Sequence, residues 1–351
     1  MNKDILSSDL EEIYNCGYKW DKFAGKTILI TGAYGMLASY MTYFFIFLRE
    51  IKQIDVKLIL LVRSEKKLER CIGNVSRDYI KVCYDSMNER LKIDGNIDFI
   101  IHAASLASPQ HYAARPVDVL MPNTIGTYHL LSLAAEKKVS GFLLFSTGDI
   151  YGRVMNKGSV GECDYGILDT LDIHNCYSES KRMAETMCYS FMSQFGVPVK
   201  IARIWHTYAP TMDEKNDPRV FASFVKNVLS GKDIVIKSDG TGKRTFCYIT
   251  DAVCGFLKIL LDGKNGEAYN ICNESQFVSI AELAEIIAGL RPRMGLKVIY
   301  KKRNENESYV ENTHMKGIEI CPSSDKLKLL GWKPMIDLET GFDRVFRYKG
   351  I

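Results

Sequence analysis

The sequence predicts an α/β protein: a doubly wound parallel sheet followed by a smaller C-terminal α+β region. Three observations predict it. Short apolar runs rich in β-branched residues alternate with helical patterns from residue 26 to about residue 205. The first run, 27–30, leads into Gly32 and Gly35 and then a long helical pattern from Met36. That is the strand, glycine turn and helix that a dinucleotide-binding turn requires. After residue 205 the rhythm gives way to shorter, mixed elements. The chain therefore divides into an N-terminal extension (1–24), a dinucleotide-binding domain (25–205) and a substrate-binding region (206–351), some of whose segments return to the sheet.

Composition bounds the function. Of 351 residues, 46% are hydrophobic and 25% charged, ordinary values for a globular chain. The net charge of +4 is small and its basic residues are dispersed, which argues against nucleic acid as partner. The aromatic run 43–48 is too short to cross a bilayer, and the acidic, polar N-terminus carries no signal-peptide pattern. Ten cysteines lie scattered without a Cys-x-x-Cys pair, as expected of reduced thiols in a cytoplasmic protein. The six histidines are isolated, each reading as an ordinary surface or core imidazole, and no metal-ligand spacing appears.

Within the extension, residues 9–14 suggest a short helix and 18–20 an aromatic anchor. In the turn, Gly32 lets the chain leave the strand sharply, and Gly35 lets backbone approach a pyrophosphate. Ala38 keeps the helix face small, and the helix N-terminus attracts the anion. A second strand, 58–62, ends in Arg63-Ser64, followed by Lys66 and Lys67. An acidic residue there would bind both ribose hydroxyls of NAD, whereas Arg63 points to a 2′-phosphate and hence NADP. A solvated basic loop is the alternative. A third strand spans 79–83, with Asp85 just beyond it. A fourth, 97–102, runs into Ala103-Ala104-Ser105, small residues that leave room for a flat ligand.

Pro116 opens a helix expected to continue through Lys138, with Asn123 on its apolar face needing a partner if buried. The fifth strand, 142–145, ends in Ser146-Thr147-Gly148-Asp149. Ligands in such sheets sit beyond the strands' C-terminal ends, which places Thr147 and Asp149 at the cleft. Residues 153–175 read as a loop. The helical pattern after it carries Tyr177 and Lys181 one turn apart on one face. An ammonium beside a phenol favours the phenolate, so a lowered Tyr177 pKa is expected, usable for proton transfer near neutrality. A sixth strand spans 199–204, and 206–218 reads as a polar, Pro-containing connection. A helix (221–229), a strand–turn–strand unit (234–246) and a helix (250–261, Asp251 in its first turn) follow. Ser279 then caps another apolar helix reaching residue 290. Arg219 and Arg244 are the natural anion contacts of this region, or else surface ion pairs.

These motifs carry a resemblance. Thr31-Gly-Ala-Tyr-Gly-Met-Leu-Ala-Ser39, His102-Ala-Ala, Asn123-Thr-Ile-Gly-Thr, Ser146-Thr, Tyr177-x-x-x-Lys181, Arg203-Ile-x-x-Thr-Tyr-x-Pro210, Arg244-Thr-Phe-x-Tyr-Ile-x-Asp251 and Leu330-Gly-Trp-x-Pro334 resemble the extended short-chain dehydrogenase/reductases. The group resembled is the NAD(P)-dependent epimerases and dehydratases that act on nucleotide sugars, over residues 25 to 346. Residues 176–192 and the strand after them look most like the UDP-glucuronate decarboxylases.

The resemblance implies a Rossmann fold and a homodimer. It implies a dinucleotide site of Gly32, Tyr34, Gly35, Met36, Leu37, Asp85, Ala103 and Ala104, with Tyr177 and Lys181 shared, and Arg63 stands in that site in place of the acid expected for NAD. Thr147, Tyr177 and Lys181 would be the catalytic hydroxyl, the acid/base phenol and its lysine, acting where hydride moves at C4 of the sugar. His206, Arg219 and Arg244 would face the nucleotide diphosphate. Departures divide the reading. Gly148-Asp149 replaces the Asp-Glu pair of the dehydratases, so 4,6-dehydration is not expected. Asp149 stands one methylene shorter than the decarboxylase glutamate, His206 replaces an asparagine, and Ala209 a glycine. Two reactions stay open, one a decarboxylase or epimerase working by transient oxidation. The other is an NADPH-dependent 4-ketoreductase of a 4-dehydro-6-deoxyhexose nucleotide. A non-catalytic NADP-binding regulator is the alternative from another class.

Overall fold

The computed structural model describes residues 3–73, 75–154, 158–302 and 320–351. Its strands are β1 Lys26–Thr31, β2 Val56–Val62, β3 Ile80–Tyr84, β4 Phe99–His102, β5 Gly141–Thr147, β6 Ser159–Val160 and β7 Val199–Ile204. They continue with β8 His206–Tyr208, β9 Ile234–Ile236, β10 Lys243–Tyr248, β11 Ala268–Ile271, β12 Phe277–Ser279, β13 Val298–Tyr300 and β14 Cys321–Pro322. The helices are α1 Lys3–Tyr14, α2 Met36–Glu50, α3 Glu65–Ile72, α4 Pro109–Ala114, α5 Pro116–Asn123 and α6 Ile125–Lys137. After these come α7 Cys176–Phe195, α8 Val220–Leu229, α9 Ile249–Asp262, α10 Ile280–Gly289, α11 Asp325–Lys328 and α12 Leu338–Lys349.

Seven strands form a parallel sheet in the order β11-β7-β5-β4-β1-β2-β3. Its strands are apolar throughout because both faces are covered. Ile28 and Ile30 of β1 point into one core with Phe44 of α2 and Phe256 of α9. Leu29, between them, points into the other with Leu130 of α6 and Ala184 of α7. Strand order reverses direction between β1 and β4, whose last residues Thr31 and His102 are paired in register. The crevice beyond those ends is where such sheets place ligands.

The remaining strands form a three-stranded sheet, β12-β10-β8, and two small parallel pairs, β9–β13 and β6–β14. Four local expectations change. The helix expected from 116 to 138 is two helices, broken at Thr124, because Pro122 removes a backbone donor inside α5. The connection at 206–218 begins with strand β8, which pairs in parallel with β10. The strands of the 234–246 unit do not pair with each other: β9 joins β13, while β10 lies between β8 and β12. The loop at 153–175 contains β6, held by β14 from far along the chain. The Ser279 cap forms as expected, as a full capping box with Glu282.

The extension packs as α1 and an aromatic anchor, Trp20, edge-on to Phe44 at 5.0 Å. Asp9 of α1 is fully buried. Its Oδ2 accepts from the hydroxyls of Tyr40 (3.0 Å) and Tyr248 (2.9 Å), and its Oδ1 from Arg344 Nη1 (3.0 Å). One carboxylate thus ties together α1, α2, β10 and α12. Asp251 of α9 is also buried and accepts from the backbone N–H groups of Met335 and Ile336.

Candidate functional site

The glycine turn leaves β1 at the crevice. Gly32 has φ +68°, and a Cβ on it would come within 2.9 Å of Ala104 Cα. Glycine is needed there for conformation and for close approach. Gly35 is the exposed N-cap of α2, so the first N–H groups of that helix face outward past it. Thr31 fixes the facing loop, its Oγ1 accepting from the N–H groups of Ala103 (3.1 Å) and Ala104 (3.0 Å).

With both acceptances made, the Thr31 proton is free to go to His102 Nδ1, 3.1 Å away. Nε2–H of His102 then donates to Thr127 Oγ1 (2.9 Å), whose proton goes to Asn123 O (2.7 Å). His102 is a neutral core imidazole, its pKa pushed down to about 3 by burial and then by the Lys181 charge. Asn123 is buried as well. Its Nδ2 donates to Ser180 Oγ at 3.0 Å, while its Oδ1 has no partner among the described residues.

Arg63 lies just past β2, exposed, and none of the described residues pairs with it. Ser64 caps α3 beside it, and Lys67 Nζ stands 6.0 Å from the centre of the Tyr34 ring. Lys67 thus lies beside the glycine turn. Asp85 is exposed beyond β3. Tyr34, Met36, Leu37, Ala103 and Ala104 are half-buried around the same crevice.

β5 brings Thr147 to its C-terminal end, and α7 brings Tyr177 and Lys181 beneath it. The Thr147 hydroxyl accepts from Asp149 N at 3.2 Å, and it lies near enough to the Tyr177 phenol and the Asp149 carboxyl to favour the charged form of each. Its single proton can serve only one of the two side chains at a time. Lys181 is buried, donates to Phe145 O at 2.7 Å, and lies 5.9 Å from the Tyr177 ring centre.

The expected lowering of the Tyr177 pKa is not what this arrangement produces. Burial pushes the phenol well above its ordinary value, Asp149 adds to the rise, and the Thr147 hydrogen bond and Arg219 offset only part. Burial also lowers Lys181, to about 8, which weakens the charge expected to stabilise a phenolate. Asp149 is exposed to the cleft by surface area but closely walled by protein. The crowding raises its carboxyl, and Arg244 and Thr147 pull the other way.

Deeper toward the C-terminal region, Arg219 grips Asp217 with Nε (2.9 Å) and Nη2 (2.5 Å). Arg244 is half-buried, its Nη1 donating to Lys243 O. His206 lies within the field of both arginines. Burial, then Arg244 and Arg219, push its pKa down to about 3, and its enclosed Nδ1 has no partner among the described residues. Two arginines and an imidazole are thus gathered at one place, with the charge of Arg219 already met by Asp217.

Two residues escaped the sequence reading. Tyr112 of α4 lies parallel to Tyr177, with ring centroids 4.9 Å apart and planes 10° apart, and helps to enclose it. Pro109 at the start of α4, just past a strand end, was the available signal. Trp205 lies against Gly148, and no local pattern announced that contact. The turn between Thr147 and Tyr151 is further held by a buried frame. Ser146 Oγ donates to Glu185, which is bridged by Arg203. Arg203 donates to Tyr151 OH, which donates to Asn270 Oδ1. No group of three or more potential metal ligands occurs among the described residues, and no described helix is long and apolar enough to cross a membrane.

Comparison with known proteins adds to this geometry. Residues 28–272 match the sequence profile of the NAD dependent epimerase/dehydratase family. UDP-glucuronic acid decarboxylase 3 of Arabidopsis thaliana is 32% identical over 317 residues, covering 90% of this chain and 86% of the relative. The fold is similar to that of UDP-glucose 4-epimerase from Thermotoga maritima, solved with UDP-glucose. The TM-score is 0.75 at 20% identity, over 92% of this chain and 98% of that one. It is also similar to UDP-glucuronic acid 4-epimerase from Bacillus cereus in complex with NAD, at TM-score 0.72 and 20% identity over 92% and 96%.

Proposed function

The chain belongs to the NAD dependent epimerase/dehydratase family, and from that premise we propose that it oxidises and re-reduces C4 of a nucleotide-diphosphate sugar, with decarboxylation or epimerisation between the two steps. The observation that carries the reading is the Thr147 hydroxyl set between the Tyr177 phenol and the Asp149 carboxyl, at the sheet end next to the glycine turn. The residues present fit a dinucleotide. The positive φ of Gly32, and the clash with Ala104 Cα that any Cβ there would make, keep the turn bare of side chain in front of the α2 N-terminus. Gly32, Tyr34, Gly35, Met36 and Leu37 would hold its pyrophosphate, Asp85 its adenine, Ala103 and Ala104 its flat face, and Lys181 the nicotinamide ribose. When bound, the dinucleotide supplies the acceptor and donor of hydride.

The chain's own residues do the rest. Tyr177 exchanges a proton with the sugar 4-oxygen, and Thr147 hydrogen-bonds the same oxygen. Lys181, pinned to Phe145 O, holds the ribose side of the site in place. Asp149 stands where a carboxylate can act on the sugar beyond Thr147. His206, Arg219 and Arg244 bind the diphosphate by charge-assisted contacts. A homodimer belongs to this reading. Light scattering after size exclusion tests it.

A second reading has its own support. Arg63 stands exposed, with no partner among the described residues, where an acidic residue would favour NAD, which suits a 2′-phosphate and an NADPH-dependent 4-ketoreductase. A phenol held neutral by burial is also ready to give a proton. Proton NMR of incubated substrates decides between them. With UDP-glucuronate and NAD, the first reading expects a pentose and carbon dioxide, or a C4 epimer, with no net use of dinucleotide. With a 4-dehydro-6-deoxyhexose nucleotide, the second expects one NADPH consumed per sugar and all six carbons kept. Inertness toward both substrates would count against both.

A further inference from the structure

Gly148 separates Thr147 from Asp149, and a Cβ built on it would stand 2.6 Å from both Cδ2 and Cε2 of Trp205. The indole lies flush against the turn, in the volume that a side chain at 148 would need. It is fixed there from several directions. Its Nε1–H donates to Asn270 Oδ1 at 3.2 Å, and its ring stacks on Tyr151 with centroids 5.7 Å apart and planes 22° apart. Its backbone N–H donates to Ile271 O at 3.2 Å. Asn270 is wholly buried, and its Nδ2 donates to Ser323 O at 2.9 Å, so the acceptor of the indole cannot drift. A glycine between two functional side chains is by itself a point of freedom. Here a rigid ring from the β7–β8 link removes that freedom.

We propose that Trp205 is a positioning residue, its indole standing in for the side chain absent at Gly148 and holding Asp149 in register with the Thr147 hydroxyl. The proposal rests on the reading of Thr147 and Asp149 as substrate contacts. It goes beyond that reading by assigning the geometry between them to a residue from another part of the sheet. Trp205 itself acts through the turn and takes no part in proton or hydride transfer.

The test is a double-mutant cycle of Gly148→Ala and Trp205→Leu, with three readouts. These are turnover, dinucleotide affinity by fluorescence titration, and titration of the Asp149 carboxyl by carbon-13 NMR, assigned with Asp149→Asn. Gly148→Ala is expected to lower kcat about tenfold or more with little change in KM or dinucleotide affinity. In the Trp205→Leu background the same alanine is expected to cost less than about threefold, because the atom it meets is gone. The Asp149 midpoint should move in Gly148→Ala, and the alanine should move it less in the Trp205→Leu background than in the wild type. If Gly148→Ala fails to fold, Trp205→Leu alone should move that midpoint and reduce kcat. Equal cost of the alanine in both backgrounds, an unmoved Asp149 midpoint, or dinucleotide affinity falling in step with kcat would overturn the proposal. A wild-type protein without turnover on nucleotide sugars would end the functional reading, while the Asp149 midpoint would still decide the role of Trp205.

Discussion

Lys181 Nζ donates to the carbonyl of Phe145 at 2.7 Å, so the buried ammonium of α7 is anchored to the strand that delivers Thr147. The lysine spends one of its three donors on this anchor, and burial has already brought its pKa down to about 8. It stands near Tyr177 without making that phenol acidic.

The first prediction follows from the phenol. Difference absorbance between the wild-type protein and Tyr177→Phe should show no phenolate from Tyr177 at neutral pH, nor at its ordinary midpoint near 10. The same variant should lose turnover by on the order of 10²-fold or more, since it removes the proton donor and acceptor. Its dinucleotide affinity should change little. Near-normal turnover would remove Tyr177 from the reaction.

Arg63 gives the second. Arg63→Ala should weaken NADP binding by roughly 1.5–3 kcal/mol, the range for a charge-assisted hydrogen bond, and leave NAD almost unchanged. Calorimetry with both dinucleotides measures it. Equal losses would make Arg63 a structural residue of the β2–α3 turn.

The third prediction separates the two reactions. If Asp149 acts on the sugar during decarboxylation, Asp149→Asn should abolish carbon dioxide release from UDP-glucuronate. A ketoreductase needs only the dinucleotide with Tyr177, Lys181 and Thr147, so the same variant should then keep substantial NADPH-dependent activity. Gas release and NADPH absorbance report the two cases.

Stability should depend on pH through Asp9. Its folded pKa is raised by burial from 3.8 to about 6, the hydrogen bonds and Arg344 offsetting only part. A raised folded pKa means that its contribution is complete below about pH 4 and is lost as pH rises through about 6. By linkage the loss is on the order of 3 kcal/mol. Asp251, raised by burial to about 7, acts in the same direction over a slightly wider window. Denaturant midpoints of the wild type and Asp9→Asn should therefore differ in their pH slope between about pH 4 and 6, the wild type losing more stability across it. Parallel slopes would mean that Asp9 is ionised at no cost.

The local parts of the site could be read in advance because their physics is local. Gly32 and Gly35 announced the turn through backbone freedom just after an apolar strand. Tyr177 and Lys181 shared a helix face because they are one turn apart, and the small residues at 103–104 marked a strand end with room beside it. Strand periodicity, apolar on both faces, was enough to indicate a covered parallel sheet.

Contacts between distant segments were a different matter. That β9 and β10 enter different sheets depends on which partner strands, β13 and β8, lie closer in space than each other. The direction of the Tyr177 pKa depends on enclosure, to which Tyr112 contributes from another helix, and no spacing rule on α7 encodes it. The fit of Trp205 onto Gly148 joins two strand ends that share an edge only once β5 and β7 pair. Short-range backbone and side-chain preference was enough to announce the sheet, the glycine turn and the pairing of Tyr177 with Lys181 on one helix face. The charge state, spacing and rigidity of those groups were decided by tertiary structure alone, because desolvation and steric contact act through distance in space and not along the chain.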